Sequence, residues 1–485
     1  MTSPDTKPTV FIWFRNDLRV TDNQALSAAC EHAKTVNANI QAVYIVTPAQ
    51  WQAHDVGSRQ LDFIRRHLQL VARALASLGI ELTVWQCQHF ADIPALWQRQ
   101  LSSRNIVAIY AGREPELNEI RRDQAMLNHG LPLQLTNEHC LLAPGSVLTK
   151  SGEMYRVFTP FFRRWREIAQ QYPVVPLGPP APVGPAIADV NIESLLDTIN
   201  RYFLPLIKSD NHYQWPAGEG EAQRRLQHFV FTAVSDYQQQ RDFPALDGTS
   251  SLSPYLTLGV LSPRQCFAAL LARFPAALAD DTSPGRCWLS ELVWREFYRH
   301  LLVAFPVLSM GGNFNPLADG IVWRNHPQEF SAWCEGRTGY PIVDAAMRQL
   351  NNTGWMHNRL RMVVASFLSK HLLIDWRWGE RYFRQQLLDG DLAANNGGWQ
   401  WSAGTGCDAQ PWFRIFNPIS QSEKFDADGS FIRHWLPELR HWPLAQLHRP
   451  VPEKSLFTGD YPAPIVEHSS ARQRALSALA ILKKA

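Results

Sequence analysis

Trp288, Glu291 and Arg295 combine aromatic, acidic and basic chemistry within the segment CWLSELVWREFYRH (287–300). Their spacing places the three side chains on one stripe of an ideal helix, with Trp294 at its edge. A carboxylate beside two indoles suits a planar ligand that also forms hydrogen bonds. The pattern alone nevertheless favours a surface ion pair between Glu291 and Arg295 at i, i+4, with the rings facing the core.

A second mixed stripe occurs in GWMHNRLRM (354–362). Four of its residues share one helical face: Trp355, Asn358, Arg359 and Met362. A core stripe with an arginine that extends to solvent explains the same pattern. The segment therefore predicts either a ligand-binding face or ordinary packing.

Two further segments are rich in residues that favour turns. The segment DGTSSLSPYLTLG (247–259) brings hydroxyls and glycine before a helix expected at Ser262, so it either donates hydrogen bonds to a phosphate or simply leads into that helix. The segment DGDLAANNGGWQW (389–401) holds two acids, two adjacent amides and two adjacent glycines. This composition disfavours helix and strand, and predicts a loop shaped by a ligand or by a structural turn.

The overall composition is that of a globular protein. Of 485 residues, 19% are charged and 45% hydrophobic, and 47 basic against 44 acidic side chains give a net charge of +3. So mild an excess permits nucleic-acid binding by a local basic face without requiring it. Seven scattered cysteines contain no CxxC pair, so we expect reduced thiols and no metal site. The apolar stretches are too short to span a membrane and the first residues lack a secretory core, which predicts a cytoplasmic protein.

Strand and helix patterns alternate over the first 140 residues. Apolar runs such as TVFIWF (9–14) and IQAVYIV (40–46) are followed by amphipathic segments, the longest of which ends at Gly79. This order predicts an α/β fold, a doubly wound, Rossmann-like unit with a parallel sheet. The turn after the first strand reads RNDLR rather than GxGxxG, so conventional nicotinamide dinucleotide binding is not expected.

The remainder of the chain changes character twice. Residues 171–190 hold six prolines after Tyr172, which predicts a linker, either a flexible tether or a docked connector. From about Glu219 onward, apolar residues recur at spacings of three and four, which predicts an all-α domain. The expected organisation is an α/β domain over 8–140, an interdomain connector over 141–215 and an all-helical domain over 216–485.

Several long motifs resemble the photolyase/cryptochrome family, and most closely its bacterial class I cyclobutane pyrimidine dimer photolyases. They are WFRNDLRVTDNQAL, GYPIVDAAMRQLNNTGWMHNRLRM, DGDLAANNGGWQW and RIFNP, and only 171–220 and the region around 305–320 match weakly. The resemblance implies an N-terminal antenna domain and a helical FAD-binding catalytic domain. It also implies light-driven repair of DNA, in which excited, fully reduced anionic FAD passes an electron to a flipped-out pyrimidine dimer.

The resemblance assigns the FAD contacts by position. Asn395 would lie near the flavin N5 as a catalytic residue, and Arg361 would pair with Asp389 near the isoalloxazine ring. The full expected set is Tyr237, Thr249, Ser250, Ser253, Trp288, Arg295, Asn358, Arg361, Asp389, Asp391 and Asn395.

The resemblance assigns the contacts to damaged DNA in the same way. Trp294 and Trp401 would form the walls of the dimer pocket, and Glu291 would hydrogen-bond the dimer as a catalytic residue. Arginines would hold phosphates, which position the lesion without reading sequence. The expected set is Arg241, Glu291, Trp294, Arg359, Met362 and Trp401, with Arg414 and Gln421 as further candidates at the rim.

Two more groups follow from the resemblance. Trp323, Trp376 and Trp399 align with the electron-transfer triad, the last nearest the flavin and the first nearest solvent. Asn118 and Glu119 match contacts to a 5,10-methenyltetrahydrofolate antenna. The other side of that antenna site, near FPVLSMGGNF, departs from the Cys-Lys of a close relative, so an empty site or another pigment is the alternative.

The main alternative function is a cryptochrome-like blue-light photoreceptor, because one fold serves both roles. Asparagine at 395, the complete pocket set and the lack of a long C-terminal signalling tail favour repair. A (6-4) photoproduct photolyase is disfavoured because Asn358 and Met362 replace the two histidines of that family. A nonspecific single-strand binder is a remote third alternative. We expect a monomer that acts on UV-damaged DNA in the cytoplasm, at the nucleoid.

Overall fold

A computed structural model describes residues 5–102, 104–171, 173–208, 215–449 and 461–484. A five-stranded parallel sheet of order β3-β2-β1-β4-β5 forms the centre of the N-terminal part. The strands are β1 (Asp5–Phe14), β2 (Asn39–Val46), β3 (Glu81–Gln86), β4 (Arg104–Gly112) and β5 (Leu133–Thr136). The predicted parallel sheet is confirmed.

Helices cover both faces of this sheet. Because side chains alternate along a strand, Val10 and Ile12 of β1 pack into one hydrophobic cluster, whereas Phe11 and Trp13 pack into another on the opposite face. The helices between the strands are α1 (Gln24–Thr35), α2 (Pro48–Ala53), α3 (Ser58–Ser77), α4 (Ile93–Leu101) and α5 (Leu117–Asn128). The unit is therefore doubly wound.

The proline-rich linker is docked rather than a free tether. It leads from α6 (Phe158–Ala169) to α7 (Asp189–Phe203) along the surface of the α/β unit. The backbone N–H of Val183 donates to the Leu78 carbonyl at 2.9 Å, and that of Leu177 donates to the Asp22 carboxylate at 2.8 Å. These bonds hold the linker against the end of α3 and against the turn between β1 and α1.

The described residues from Glu219 onward form helices and loops, as predicted. The helices are α8 (Glu219–Thr232), α9 (Tyr237–Gln240), α10 (Ser253–Thr257), α11 (Pro263–Arg273), α12 (Arg286–Ala304), α13 (Pro327–Cys334), α14 (Pro341–Thr353), α15 (Asn358–Ser366), α16 (Trp376–Gln386), α17 (Leu392–Ala403), α18 (Pro418–Phe425), α19 (Ser430–Trp435), α20 (Leu444–Leu447) and α21 (His468–Leu479). A π-helical turn, Phe367–His371, follows α15. Among the described residues, no helix is long and apolar enough to cross a membrane.

The prediction of a loop over 389–401 is wrong, because most of this segment forms α17. Asp391 caps the helix by accepting a hydrogen bond from the Ala394 N–H at 2.9 Å. Gly397 is needed for packing, since a Cβ there would collide with the Tyr298 ring. The glycines that disfavour a helix locally thus allow α17 to approach α12 closely.

Buried ion pairs join the α/β unit to the helical part. Arg19 pairs with Glu138 and also donates to the Gly259 carbonyl at 2.8 Å, while Arg264 pairs with Asp22 at 3.0 Å. Gly259 has a φ of +62°, and a Cβ there would meet the backbone of Asn16. The end of segment 247–259 is therefore fixed against the first strand–helix turn of the sheet.

Candidate functional site

A cavity of about 480 Å³ opens among α12, α15, α17 and the segment 249–257. The structure brings every predicted FAD contact to its wall: Tyr237, Thr249, Ser250, Ser253, Trp288, Arg295, Asn358, Arg361, Asp389, Asp391 and Asn395. Five of the predicted DNA contacts share the same wall: Arg241, Glu291, Trp294, Met362 and Trp401. Segments that are distant in sequence thus meet at one site, which we call the central cavity.

The central cavity is polar where α12 passes behind segment 249–257. Arg295 donates to the carbonyls of His139 at 2.6 Å and Leu256 at 3.0 Å, and does not pair with Glu291. The expected i, i+4 surface pair is therefore wrong. Burial, aided by the charge of Arg299, lowers the pKa of Arg295 to about 10.

Two acidic side chains near the start of α17 form ion pairs with arginines. Arg361 pairs with Asp389 at 2.8 Å, the pair that the resemblance implies. Asp391 pairs with Arg299 at 3.2 Å. Burial would raise the pKa of Asp391, but the charges of Arg299 and Arg295 lower it below its ordinary value. The cavity thus combines fixed positive and negative charges with little exposure to water.

Asn395 lies one turn into α17. Its Nδ2 donates to the backbone carbonyl of Glu380 at 2.9 Å, which fixes the orientation of the amide. Its neighbour Asn396 donates to the Glu380 carboxyl at 2.9 Å, and burial raises the pKa of Glu380 to about 7. Sequence reasoning missed Glu380, because nothing local in α16 connects it with the asparagines of α17.

An ion pair and two indoles occupy the open side of the central cavity. Arg241 Nη1 donates to Glu291 Oε1 at 2.6 Å. Burial alone would lower the pKa of Arg241, but the Glu291 carboxylate raises it above its ordinary value. Trp294 stacks on Phe158 at 3.7 Å and contacts Tyr298 at 5.7 Å between ring centroids. Tyr298 also lines the cavity, and its position one turn after Trp294 could have revealed it.

Three predicted DNA contacts lie outside the wall of the central cavity. Arg359 pairs with Asp242 at 2.7 Å and lies over the Phe425 ring at 4.4 Å. Arg414 is exposed in the loop that follows α17, and Gln421 is partly buried in α18. The structure therefore places these three on the surrounding surface rather than in the pocket.

The tryptophans of the predicted triad run from the cavity wall into the helical body. Trp399 lines the cavity and is 2% exposed, Trp376 is fully buried, and Trp323 is partly exposed on the same hydrophobic cluster. Gly379 leaves room for the Trp399 ring, which a Cβ at that position would contact too closely. Trp399 alone of the three lines the cavity and Trp323 is the most exposed, as the resemblance implies for the two ends of the triad, while the electron-transfer role stays a prediction.

A second cavity, of about 650 Å³, lies beyond the carboxyl ends of β1 and β2. Asn118 and Glu119 line it, and His54 Nε2 lies 2.9 Å from the Asn118 amide nitrogen. Burial and the neighbouring carboxylates raise the pKa of Glu119 to about 7 and that of Glu116 to about 8. Sequence reasoning missed Glu116, although its place in the run REPELNE was a usable signal. Asn395 lines both cavities, so the two sites are adjacent.

A doubly wound α/β unit fixed to a helical unit, with an ionic and aromatic cavity in the helical part, defines a two-part cofactor-binding protein. Two family models match this chain: "DNA photolyase" over residues 10–184 and "FAD binding domain of DNA photolyase" over 288–480. The deoxyribodipyrimidine photo-lyases of Salmonella typhimurium and Escherichia coli are 46% and 45% identical, each over 98% of this chain and 99% of the relative. The chain belongs to the DNA photolyase family.

Solved structures agree with this assignment. A bacterial class III photolyase from Agrobacterium tumefaciens has a TM-score of 0.84 at 36% identity and covers the whole of both chains. A cryptochrome from Synechocystis has a TM-score of 0.81 at 30% identity, with 97% of this chain and 99% of that chain covered. Because both functional classes share this fold, the fold alone does not separate repair from signalling.

Proposed function

We propose that this chain is a light-dependent deoxyribodipyrimidine photo-lyase that repairs cyclobutane pyrimidine dimers in DNA. One observation carries the proposal: the predicted FAD contacts and the pocket residues Glu291, Trp294, Met362 and Trp401 line one cavity. A protein that only senses light requires the FAD contacts but does not require a pocket for a pyrimidine dimer beside them.

The residues of the central cavity fit FAD. Hydroxyl donors from segment 249–257 and the buried cation Arg295 suit the phosphates of a dinucleotide. Trp288 and Trp399 present aromatic surface, and the Arg361–Asp389 pair supplies fixed charge. When bound, reduced FAD supplies the electron that, after light absorption, enters and splits the dimer.

The side chains of this protein bind and orient the reactants. Trp294 and Trp401 would contact the fused pyrimidines and exclude water, while Glu291 would hydrogen-bond their polar edge. The Arg241 guanidinium holds the Glu291 carboxylate in place at the open side of the cavity. Asn395, fixed by the Glu380 carbonyl, would present its amide oxygen towards the cofactor.

The deciding experiment measures repair directly. Reduced protein is mixed with an oligonucleotide containing one thymine dimer and illuminated with near-UV light, and the recovery of thymine absorbance is followed. We expect recovery only in the light and only with the dimer substrate. Binding of FAD without recovery would instead favour the photoreceptor, and equal affinity for damaged and undamaged strands would favour a nonspecific binder.

We further propose that the second cavity holds the antenna, with 5,10-methenyltetrahydrofolate as its occupant. The half-buried carboxyls of Glu116 and Glu119 suit the hydrogen-bond donors of a pterin. A photolyase from Sulfolobus tokodaii contains two FAD molecules, one implicated in light harvesting, so FAD is the competing occupant. Fluorescence of the cofactors released from purified protein distinguishes folate from flavin.

One chain supplies every residue of the proposed site, so we propose that the protein is a monomer. We also propose that it acts on DNA in the cytoplasm, at the nucleoid. Sedimentation of the protein with and without a dimer-containing duplex tests the stoichiometry. A 1:1 complex is expected.

A further inference from the structure

Lys370 is fully buried in the π-helical turn that follows α15. Its Nζ donates to the backbone carbonyl of Arg414 at 2.9 Å, and none of the described residues forms an ion pair with it. Burial of an ammonium group without a carboxylate is costly, so a methionine would be the cheaper residue here. Local widening of a helix is also frequent at functional positions. Lys370 therefore needs an explanation beyond core packing.

The carbonyl that Lys370 holds belongs to a loop, residues 404–417, which joins α17 to α18. The loop starts two residues after Ser402, which lines the central cavity with Trp401. It presents an exposed aromatic ring and an exposed cation side by side: the Phe413 side chain is 58% exposed, and Arg414 is exposed beside it. The loop thus extends from the wall of the cavity to a surface that can meet a phosphate backbone.

Lys370 titrates closer to neutral pH than an exposed lysine does, and further titratable groups lie near it. Burial, aided by the Arg414 charge, lowers the pKa of Lys370 to about 7. His371 lies next to it, and burial lowers its pKa to about 3. On α21, His468 contacts His371 at 2.9 Å and burial lowers its pKa, while Arg474 donates to the His371 carbonyl at 2.6 Å.

We propose that the Lys370 ammonium positions the loop 404–417 for DNA binding and that its deprotonation weakens this binding. The inference rests on the proposed function, because it assigns the loop to the DNA-binding surface. A charged donor forms a hydrogen bond about twice as strong as a neutral one, so loss of the proton loosens the hold on the Arg414 carbonyl. Lys370 is thus a positioning residue for the substrate, acting through Arg414.

The burial of its ammonium group also means that Lys370 destabilises the folded chain. Its pKa is lower in the folded chain than in the unfolded chain, where lysine titrates near 10.4. The unfolded state therefore binds more protons between these values, and the contribution of Lys370 to stability is least favourable below about pH 7 and improves as pH rises. Replacement by methionine should raise the melting temperature at pH 6 while weakening DNA binding.

The test compares the affinity of the full-length FAD-bound protein for a dimer-containing oligonucleotide in the dark, from pH 6 to 8.5 at constant ionic strength. Wild-type affinity is expected to fall roughly fivefold across this range. Lys370→Met should bind at the lower level at every pH. Lys150→Met, which removes an exposed lysine of the connector, should keep the wild-type slope. Wild-type affinity and slope in Lys370→Met would overturn the inference.

Two further measurements keep the test decisive. Lys370→Arg keeps its charge throughout this range and should give a pH-independent affinity at the higher level, even if Lys370→Met folds poorly. A slope like that of the wild type in Lys370→Arg would also overturn the inference. Equal wild-type affinity for damaged and undamaged strands at every pH would instead refute the proposed function, which separates the two failures.

Discussion

Glu291 and Arg241 form an ion pair at the mouth of the central cavity although they are 50 residues apart in the chain. The pair joins the predicted dimer-binding carboxylate to a predicted phosphate-binding arginine. Each side chain therefore determines the position of the other before any DNA arrives. Substitution of either one should act on lesion binding more than on cofactor binding, because neither pairs with Arg361, Asp389 or Asp391.

Glu291→Ala should retain FAD and repair fewer dimers per absorbed photon. Loss of one charge-assisted hydrogen bond should cost roughly 1.5–3 kcal/mol in the lesion complex. The measurement is the repair quantum yield at saturating substrate, with bound FAD quantified by absorbance. A wild-type quantum yield in this variant would exclude Glu291 from the repair step.

Arg359→Ala should weaken binding to dimer-containing DNA and lower the salt dependence of binding by about one unit, because one phosphate contact is lost. Asp242 pairs with Arg359 at 2.7 Å in the free protein. Asp242→Asn is the matched control. It should tighten binding, because Arg359 then no longer has to break an ion pair with Asp242 before it binds the phosphate. Unchanged affinity and salt dependence in Arg359→Ala would remove Arg359 from the phosphate role.

At the scale of elements, periodicity in the sequence predicted the strands and the long helix α3 well. Short apolar runs predicted the strands, and apolar residues at spacings of three and four predicted the helix; both signals are local. Local sequence patterns did not predict α17, because that helix depends on contacts with α16 and α12: Asn396 donates to Glu380, and Gly397 packs on Tyr298. The same limit applies to the site. Sequence motifs predicted its residues, but the contact between Glu291 and Arg241 could be seen only in the folded structure.

Gly397→Ala should destabilise the protein by about 1–3 kcal/mol, because the added Cβ collides with the Tyr298 ring between α17 and α12. Gly220→Ala is the control. It lies near the start of α8 with no atom within 4 Å of the added Cβ, and should change the free energy of unfolding by less than about 0.5 kcal/mol. Chemical denaturation measures both variants, and equal stabilities would contradict close packing at Gly397.

At the scale of the whole molecule, Trp399 lines the central cavity, whereas Trp376 and Trp323 belong to the same hydrophobic cluster outside the cavity wall. Trp376 donates its indole N–H to Asn313 at 3.0 Å, which holds the middle ring in a fixed orientation. The predicted triad would pass electrons to the cofactor through this packed cluster. Making the reduced cofactor and using it in repair are then separable functions.

Trp323→Phe should separate these two functions. Without the outermost indole, an electron vacancy stays on the inner two tryptophans and recombines, so photoreduction of the oxidised protein by an external reductant should be poor. Trp323 is partly exposed and the substitution keeps an aromatic ring, so stability should change by no more than about 1.5 kcal/mol. Transient absorption after a light pulse measures the photoreduction.

Chemically reduced Trp323→Phe should nevertheless repair dimers at close to the wild-type rate, because repair takes its electron from the cofactor that is already reduced. Trp378→Phe is the matched control, since Trp378 is also partly buried and contacts Phe330 at 5.2 Å on the same cluster. The control should photoreduce normally. Normal photoreduction in Trp323→Phe together with a defect in Trp378→Phe would mean that electrons enter through Trp378 instead. Slow repair by the chemically reduced Trp323→Phe protein would show that the outer tryptophan affects the repair site itself.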